Sequence, residues 1–303
     1  MYVVYLKLQF VCRLVNSILQ TKNATFALLI TTLIWGASFV IVKVSVESIP
    51  PLTFIAARFV IALAILVGAS QRELKENWRS HLPSSFLLGS FLVVGFAFQV
   101  WGLQRTSAAN AGFITGLSVV LVGLLDVAVN KRFPTIYTLT GFISALVGLL
   151  ILSLNLNLTF AYGDLLILVC AIAFGLHVFF TDKYAKKMNT KVLTMEQITF
   201  VAFVTAIGAL CTERLNFVIS TYAVFGLVYS GVLATAGAYF LQTWGQKYTH
   251  ATYSAIVLSL EPVFAAIFAA ILLAESMTIR LVVGGALIVL GMALSSIKGL
   301  RAC

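Results

Sequence analysis

The sequence predicts an all-α integral membrane protein: ten transmembrane helices, arranged as two inverted five-helix repeats around a central cavity. Three observations carry this expectation: a composition too apolar for water, ten consecutive stretches of bilayer length, and a weak collinear repeat between the two halves.

Of 303 residues, 61% are hydrophobic and only 10% charged, with a mean hydropathy of +1.04. Soluble domains carry about 25% charged residues. A tenth is too little to clothe a soluble globule of this length. The net charge of +10 then reflects the placement of loops rather than affinity for nucleic acid. Cys12, Cys170, Cys211 and Cys303 lie far apart, with no spacing that suggests a metal site or a disulfide framework.

A membrane helix needs about 20 apolar residues. Ahead of the first such stretch, Val4, Leu8, Val11, Val15 and Ile18 share one helical face, and Gln9, Arg13, Asn16 and Gln20 another. Residues 1–23 therefore read as an amphipathic segment in the interface on the cytoplasmic side. A start upstream of the native one is the other reading. Lys7 and Arg13 interrupt the apolar residues and no small-residue cleavage site follows, which argues against a secretory signal. The spans are 25–44, 52–70, 84–104, 108–129, 136–154, 163–182, 194–212, 220–244, 251–273 and 279–297. Short separators divide them, among them Ser48-Ile49-Pro50-Pro51, the charged loop 72–81, Lys131-Arg132-Phe133-Pro134, 155–159 and 183–191. Residues 299–303 form a tail.

Lysine and arginine set the orientation. With the N-terminus in the cytoplasm, cytoplasmic segments hold 15 of them and the opposite side holds Arg105, Arg214 and Arg280. Both termini are expected to be cytoplasmic, in a bacterial inner membrane.

The halves align. Gln99, Trp101, Gly102, Thr106 and Ala108 recur 143 residues later as Gln242, Trp244, Gly245, Thr249 and Ala251. The same offset relates Leu117 to Leu260, Gly141 to Gly284 and Gly148 to Gly291; upstream, an offset of 139 relates Gly36 to Gly175 and Arg58 to Gln197. Repeats of 24–155 and 156–298 with five spans each must enter the membrane from opposite sides. Inverted repeats of this kind place a binding site near the midplane and exchange conformations to give alternating access.

Four stretches carry a family resemblance: "IWGASFVIVK" (34–43), "PPLTFIAARF" (50–59), "TSAANAGFITGL" (106–117) and "THATYSAIVLSLEPVFAAIFAAILLAESMTIRLVVGGALIVLGM" (249–292). In these the chain resembles EamA-type carriers of the drug/metabolite transporter superfamily. The last stretch follows the second-repeat pattern: Glu-Pro in an apolar helix, a glutamate at the next loop, then two glycines seven residues apart. The first repeat departs from it, with Ser118-Val119 in place of Glu261-Pro262 and Arg132 in place of Glu275. The resemblance spans about 24–298 and implies a carrier of small metabolites, with amino acids or related amphipathic compounds as the expected class and export as the expected direction. A facilitative exchanger or channel-like permease for other metabolites or drugs is the alternative.

The candidate cavity residues are Trp35, Arg58, Gln99, Asn110, His177, Tyr239, Gln242, Ser254 and Glu261, with Pro262 as a hinge. A mid-membrane carboxylate must be protonated, paired or facing water. Pro262 removes one helical hydrogen bond beside it. Glu261 reads either as a polar handle on the cavity wall or as a cap on broken backbone. Arg58 reads as an anchor for a carboxylate or phosphate, or as a residue snorkelling to the boundary. Trp35 with Gly36 resembles the family's cavity-lining first helix. Gln99 and Gln242 can bind a solute or join helices, as can Asn110, Thr115, Ser118, Ser254 and Ser259. His177 can titrate near neutral pH or serve as a structural hydrogen-bonding residue. Lys43 reads as an interfacial anchor, Trp101 and Trp244 as belt residues, and Asp126 and Asp182 as structural. Glu275 favours the start of the last helix.

No GxxxxGK[ST] occurs, so nothing in the chain would couple transport to a nucleotide. An intramembrane lipid-modifying enzyme would need His, Asp, Glu or Cys clustered at one depth; His81, His177 and His250 are scattered. The expected partners are a small-molecule substrate, protons as candidate coupling ion, and the lipid bilayer, without cofactor, metal or nucleic acid.

Overall fold

The computed structural model describes residues 2–131, 133–153, 162–214, 218–273 and 279–299; within these, the side chains of 2–18, 69–81, 109–110, 149, 152–153, 281, 292 and 295–299 are not described. Among the described residues the chain is helical, without strands. The helices are α1 (Tyr2–Ser45), α2 (Pro51–Leu103), α3 (Ala108–Gly116), α4 (Ser118–Asn130), α5 (Ile136–Ser153), α6 (Tyr162–Ala185), α7 (Thr190–Thr212), α8 (Thr221–Tyr229), a π-helix (Ser230–Gly237), α9 (Ala238–Lys247), α10 (Ala251–Leu258), α11 (Glu261–Leu273) and α12 (Ile279–Gly299).

Among the described residues, eight helical stretches are long and apolar enough to cross a membrane, and two shorter apolar ones lie at Ile136–Gly148 and Val282–Gly291. The distribution of polarity is that of a protein in lipid. Phe26, Phe203, Tyr222, Phe225 and Ile271 point outward, whereas Arg58, His177, Gln197, Gln242 and Gln246 are buried. Water would reverse that preference; hydrocarbon rewards it. Helix hydroxyls are satisfied locally, as when Thr31, Thr205, Thr243 and Thr249 donate to the carbonyl four residues back. The chain is thus a multi-pass helical membrane protein.

Two expectations about elements are revised. The 72–81 segment is helical, so the second and third spans share one run, α2. On a straight helix Phe59 and Phe96 would be about 55 Å apart, at about 1.5 Å per residue. Their rings are 5.1 Å apart, so the run folds back on itself between Pro51–Gly68 and Leu82–Leu103. The N-terminal segment continues into the first span as the single helix α1.

Local chemistry sets several boundaries. Pro51 starts α2, where its missing N–H costs nothing. The Glu213 carboxylate accepts from Leu52 N (2.7 Å), Thr53 N (2.8 Å) and Thr53 Oγ1 (2.7 Å), tying the end of α7 to the start of α2. Asn189 and Ser220 cap α7 and α8 with their side chains. Lys131, at φ 51°, stops α4 in a left-handed turn. Lys43 donates from Nζ to the carbonyls of Leu103 (3.2 Å) and Thr106 (2.5 Å), so this expected interfacial anchor closes the C-terminal end of α2.

Small residues let particular helices touch backbone to backbone. A Cβ on Gly148 would lie 2.5 Å from Gly284 O, and one on Gly291 would lie 3.0 Å from Ala145 N and closer still to Gly141 O. This contact joins α5 to α12, and Ser144 Oγ donates to Leu287 O beside it (2.7 Å). Gly36 presses in the same way on Phe264–Ala265, and Gly175 on Ser118 and Leu121. Gly102 packs on Ile167 and Gly163, and Gly245 on Leu28 and Ala24.

Candidate functional site

Two spans are broken at their centres. Between α3 and α4, Leu117 N donates to Ile114 O (3.1 Å) and Val120 N to Leu117 O (3.0 Å). Between α10 and α11, Leu260 N donates to Val257 O (3.1 Å). These tight turns interrupt the α ladder at positions 143 residues apart. Glu261 is therefore in the first turn of α11, where the positive end of the helix dipole favours a carboxylate. Pro262 follows it in that first turn, rather than kinking a continuous helix. Proline has no N–H to give, so Leu258 O lacks its helical donor.

A third irregularity lies opposite. In the π-helix, Ala238 N bonds to Leu233 O and Thr235 O rather than to Ala234 O. The released Ala234 carbonyl accepts the Trp35 indole N–H (2.9 Å), and Tyr229 Oη donates to Ile34 O (2.8 Å), seating Trp35 against the eighth apolar stretch of the chain. One residue on, Thr235 Oγ1 accepts from Arg58 Nε (3.0 Å). The π-turn thus fixes a tryptophan and an arginine at once.

The two breaks border one cavity, and the π-helix holds two of its lining residues, Trp35 and Arg58. Trp35, Arg58, Gln99, His177, Tyr239, Gln242 and Glu261 all line it. Ser254 does not: it pairs with Thr249 Oγ1 (2.7 Å), tying α10 to the chain just after α9. Asn110 and Glu275 lie outside the described side chains. Ser38, Phe96, Phe174 and Thr235 were not singled out from sequence; the first three line the cavity, and Thr235 holds Arg58. Nothing in their residue types distinguishes them from packing residues.

Arg58 is fully buried, with Cζ 4.7 Å from the Phe96 ring centroid and 5.8 Å from that of Phe59. Burial excludes the snorkelling reading. Thr235 is its one hydrogen-bond partner, and neither Arg58 nor Glu261 has an ion-pair partner among the described residues. Tyr239 lies within electrostatic reach of both. Its ring centroid is 5.1 Å from Trp35, 5.7 Å from His177 and 6.1 Å from Phe96. His177 Nε2 lies 2.8 Å from Gln197 Oε1, which joins α6 to α7 behind the cavity wall. Gln242 is wholly buried, and both amide atoms lack a partner among the described residues.

Other polar groups lie off the cavity. Asp126 accepts from Asn130 (2.8 Å) and Thr252 (2.7 Å), linking α4 to α10. Asp182 pairs with Lys186 at 2.7 Å. Trp101 packs on Phe98 and Trp244 on Tyr248. No group of three or more His, Cys, Asp or Glu that could hold a metal occurs among the described residues.

An apolar helical bundle whose interior encloses a polar and aromatic cavity has the build of a membrane transporter. Comparison with known proteins agrees. The EamA-like transporter family profile matches the chain twice, over residues 22–154 and 161–297. An uncharacterized transporter of Archaeoglobus fulgidus is 32% identical over 275 residues, covering 91% of this chain and 86% of its own. The uncharacterized transporter YoaV of Bacillus subtilis is 25% identical over 269 residues, covering 86% and 92%. A solved crystal structure superposes with a TM-score of 0.75 over 90% of this chain and 98% of that one, at 19% identity, which speaks to the fold alone. The chain belongs to the EamA-like transporter family.

Proposed function

We propose that the protein is a secondary active carrier that moves small metabolites, amino acids or related amphipathic compounds, by alternating access, working as an exporter in a bacterial inner membrane. It has ten spans, with α5 and α12 as the fifth and tenth, both termini in the cytoplasm, and tails at 1–23 and 299–303. Residues 24–155 and 156–298 are inverted repeats.

The observation that carries this reading is reciprocity. Under the offsets of 139 and 143, Gly36 on Phe264 becomes Gly175 on Leu121, with the halves exchanged. Gly102 on Gly163 and Ile167 becomes Gly245 on Ala24 and Leu28, and Gly148 on Gly284 becomes Gly291 on Gly141. Contacts in which residue i meets j and j meets i are the mark of a two-fold relation. Five spans per half put that axis in the membrane plane, and the two broken helices meet at the cavity on it. Glu261 and His177 are the titratable groups on its wall through which protons would couple.

The test is flux in proteoliposomes of purified protein, using a panel of labelled amino acids and related metabolites. Saturable uptake with counterflow supports the carrier, and acceleration by an imposed pH gradient supports proton coupling. Saturable exchange insensitive to the gradient makes it a facilitative exchanger. Non-saturable flux without counterflow would replace the carrier with a channel.

A further inference from the structure

The likeness between the halves fails at one place in a consistent way. Under the offsets of 139 and 143, Thr181 stands where the first half has Val42, Thr194 where it has Ile55, and Gln246 where it has Leu103. In the first half these three side chains are buried in one hydrophobic core. In the second half all three are wholly buried too. The backbone of the repeat therefore accepts hydrocarbon at these places, and the amide and the two hydroxyls answer no need of the fold.

The polar residues gather in a seam behind the cavity wall, where α9 packs on both α6 and α7. Gln246 Nε2 donates to Val178 O of α6 (2.8 Å), and Gln197 Oε1 of α7 lies 2.8 Å from Nε2 of the preceding residue, His177. Thr181 is one turn past His177, with Oγ1 3.4 Å from the same nitrogen. Thr194 is likewise one turn from Gln197, and Gln246 one turn from Gln242. His177 and Gln242 line the cavity. Each step along the three helices leads away from it, towards the end of the molecule where α6 finishes, α7 starts and α9 finishes. Asp182 and Lys186 follow Thr181 there, the Lys186 side chain 32% exposed.

The seam is polar but not satisfied. Gln246 Oε1, Thr194 Oγ1, Gln197 Nε2 and both amide atoms of Gln242 have no partner among the described residues, and all are buried. Leaving such groups buried and unpaired is costly. Threonine and glutamine that join membrane helices use their donors and acceptors across the interface; Thr194 Oγ1 bonds to no described residue, not even in the preceding turn of its own helix. The spare atoms include donors and acceptors together. A cation would leave the amide hydrogens of Gln197 unmet, and an anion would leave the Gln246 oxygen unmet. Water both gives and takes.

We propose that this seam is a hydration site: α9 draws back from α6 and α7, and water enters from the end where those helices finish and start and reaches His177. The movement rests on the alternating access proposed above. The closed seam carries the cost of its unmet groups, so it is poised to open. The mirrored seam of Val42, Ile55 and Leu103 gains nothing from water.

The experiment places one cysteine in each seam of the full chain, Thr194→Cys or Ile55→Cys, with Cys12, Cys170, Cys211 and Cys303 changed to alanine. The protein is held in lipid nanodiscs and treated with 2-aminoethyl methanethiosulfonate. That reagent attacks the thiolate, which forms where water reaches. Thr194→Cys should be labelled, and Ile55→Cys about tenfold or more slowly. Adding Gln246→Leu, the residue of the mirrored seam, should slow the labelling of Thr194→Cys towards the rate of Ile55→Cys. A second measurement needs no cysteine. Thr194→Val removes the unpaired hydroxyl at nearly constant volume, so it should raise the unfolding midpoint and slow counterflow. A midpoint unchanged or lowered would mean that the hydroxyl is satisfied in the closed seam, and would overturn the proposal. So would equal labelling of the two seams, or none at Thr194→Cys. Counterflow by a protein whose Thr194→Cys stays unlabelled would remove the hydration site and leave the carrier reading intact. Labelling of Thr194→Cys without counterflow of any substrate would uphold the site and remove the carrier.

Discussion

Gly36 and Gly68 differ in one respect that can be measured. Both are helical, on α1 and α2. A Cβ on Gly36 would sit 2.9 Å from Ala265 N and 3.0 Å from Phe264 C, and would meet Phe264 Cβ more closely still. Ordinary van der Waals contact begins near 3.4 Å. The obstacle is backbone, which cannot rotate away, so α1 and α11 must separate by about half an ångström or more. Overpacking of this kind costs about 1–3 kcal/mol. A Cβ on Gly68 would meet nothing within 4 Å. There alanine brings only its better helix propensity, up to about 1 kcal/mol. Gly36→Ala should therefore destabilise the fold while Gly68→Ala leaves it unchanged or strengthens it. The assay is equilibrium unfolding of purified protein in a mixed-micelle denaturant titration, both variants beside the parent. Gly175→Ala, facing Leu121 Cδ2 at 3.0 Å and Ser118 O at 3.2 Å, should fall between them. A Gly36→Ala protein as stable as Gly68→Ala would mean that α1 and α11 are not in backbone contact. The reciprocity argument would then lose one of its pairs.

Three further substitutions probe the polar framework. Thr235→Val removes the one hydrogen-bond partner that Arg58 has among the described residues, at nearly constant volume; it should lower stability by about 1–3 kcal/mol and slow flux, and Thr235→Ser should restore both, as measured by unfolding and by proteoliposome uptake. Glu213→Gln weakens the clasp on the first turn of α2 and should cost about 1–2 kcal/mol; an unchanged unfolding midpoint would show that the three hydrogen bonds do not persist in lipid. Glu261→Gln should abolish the response of flux to a pH gradient while the protein stays folded; a retained response would remove Glu261 from coupling.

The parts of this fold that were legible in the sequence are those lipid dictates. Apolar stretches of bilayer length stand out because hydrocarbon tolerates little else, and Arg58 and Glu261 stand out because a charge there demands a reason. The irregular parts were hidden. Residues 230–237, SGVLATAG, are small enough for either an α or a π turn, so nothing marked Thr235 as the partner of Arg58. The break at Leu117 has no proline, and its turn is made by hydrogen bonds alone. The 72–81 segment reads as a loop because it is charged, yet Arg72, Glu73, Leu74, Lys75 and Glu76 are all good helix formers, and the segment is helical while the run folds back.

The same offsets that relate the halves also measure how they differ. Arg58 corresponds to Gln197 and Ser38 to His177. In the second half those two residues bond to each other at 2.8 Å, 20 residues apart in the chain. In the first half Arg58 turns to Thr235 of the other half instead, at 3.0 Å. Likewise Glu261 stands where the first half has Ser118. One half therefore bonds its buried polar pair internally, while the guanidinium and the carboxyl group on the cavity wall come one from each half. In the alternating access proposed above, exchanging the conformations of two such halves would not regenerate the same cavity: Arg58 and Glu261 would change position relative to each other. A carrier built this way would hold its substrate tightly facing one side and release it facing the other. In the proposed carrier, this difference between the halves is where a direction of transport would be written.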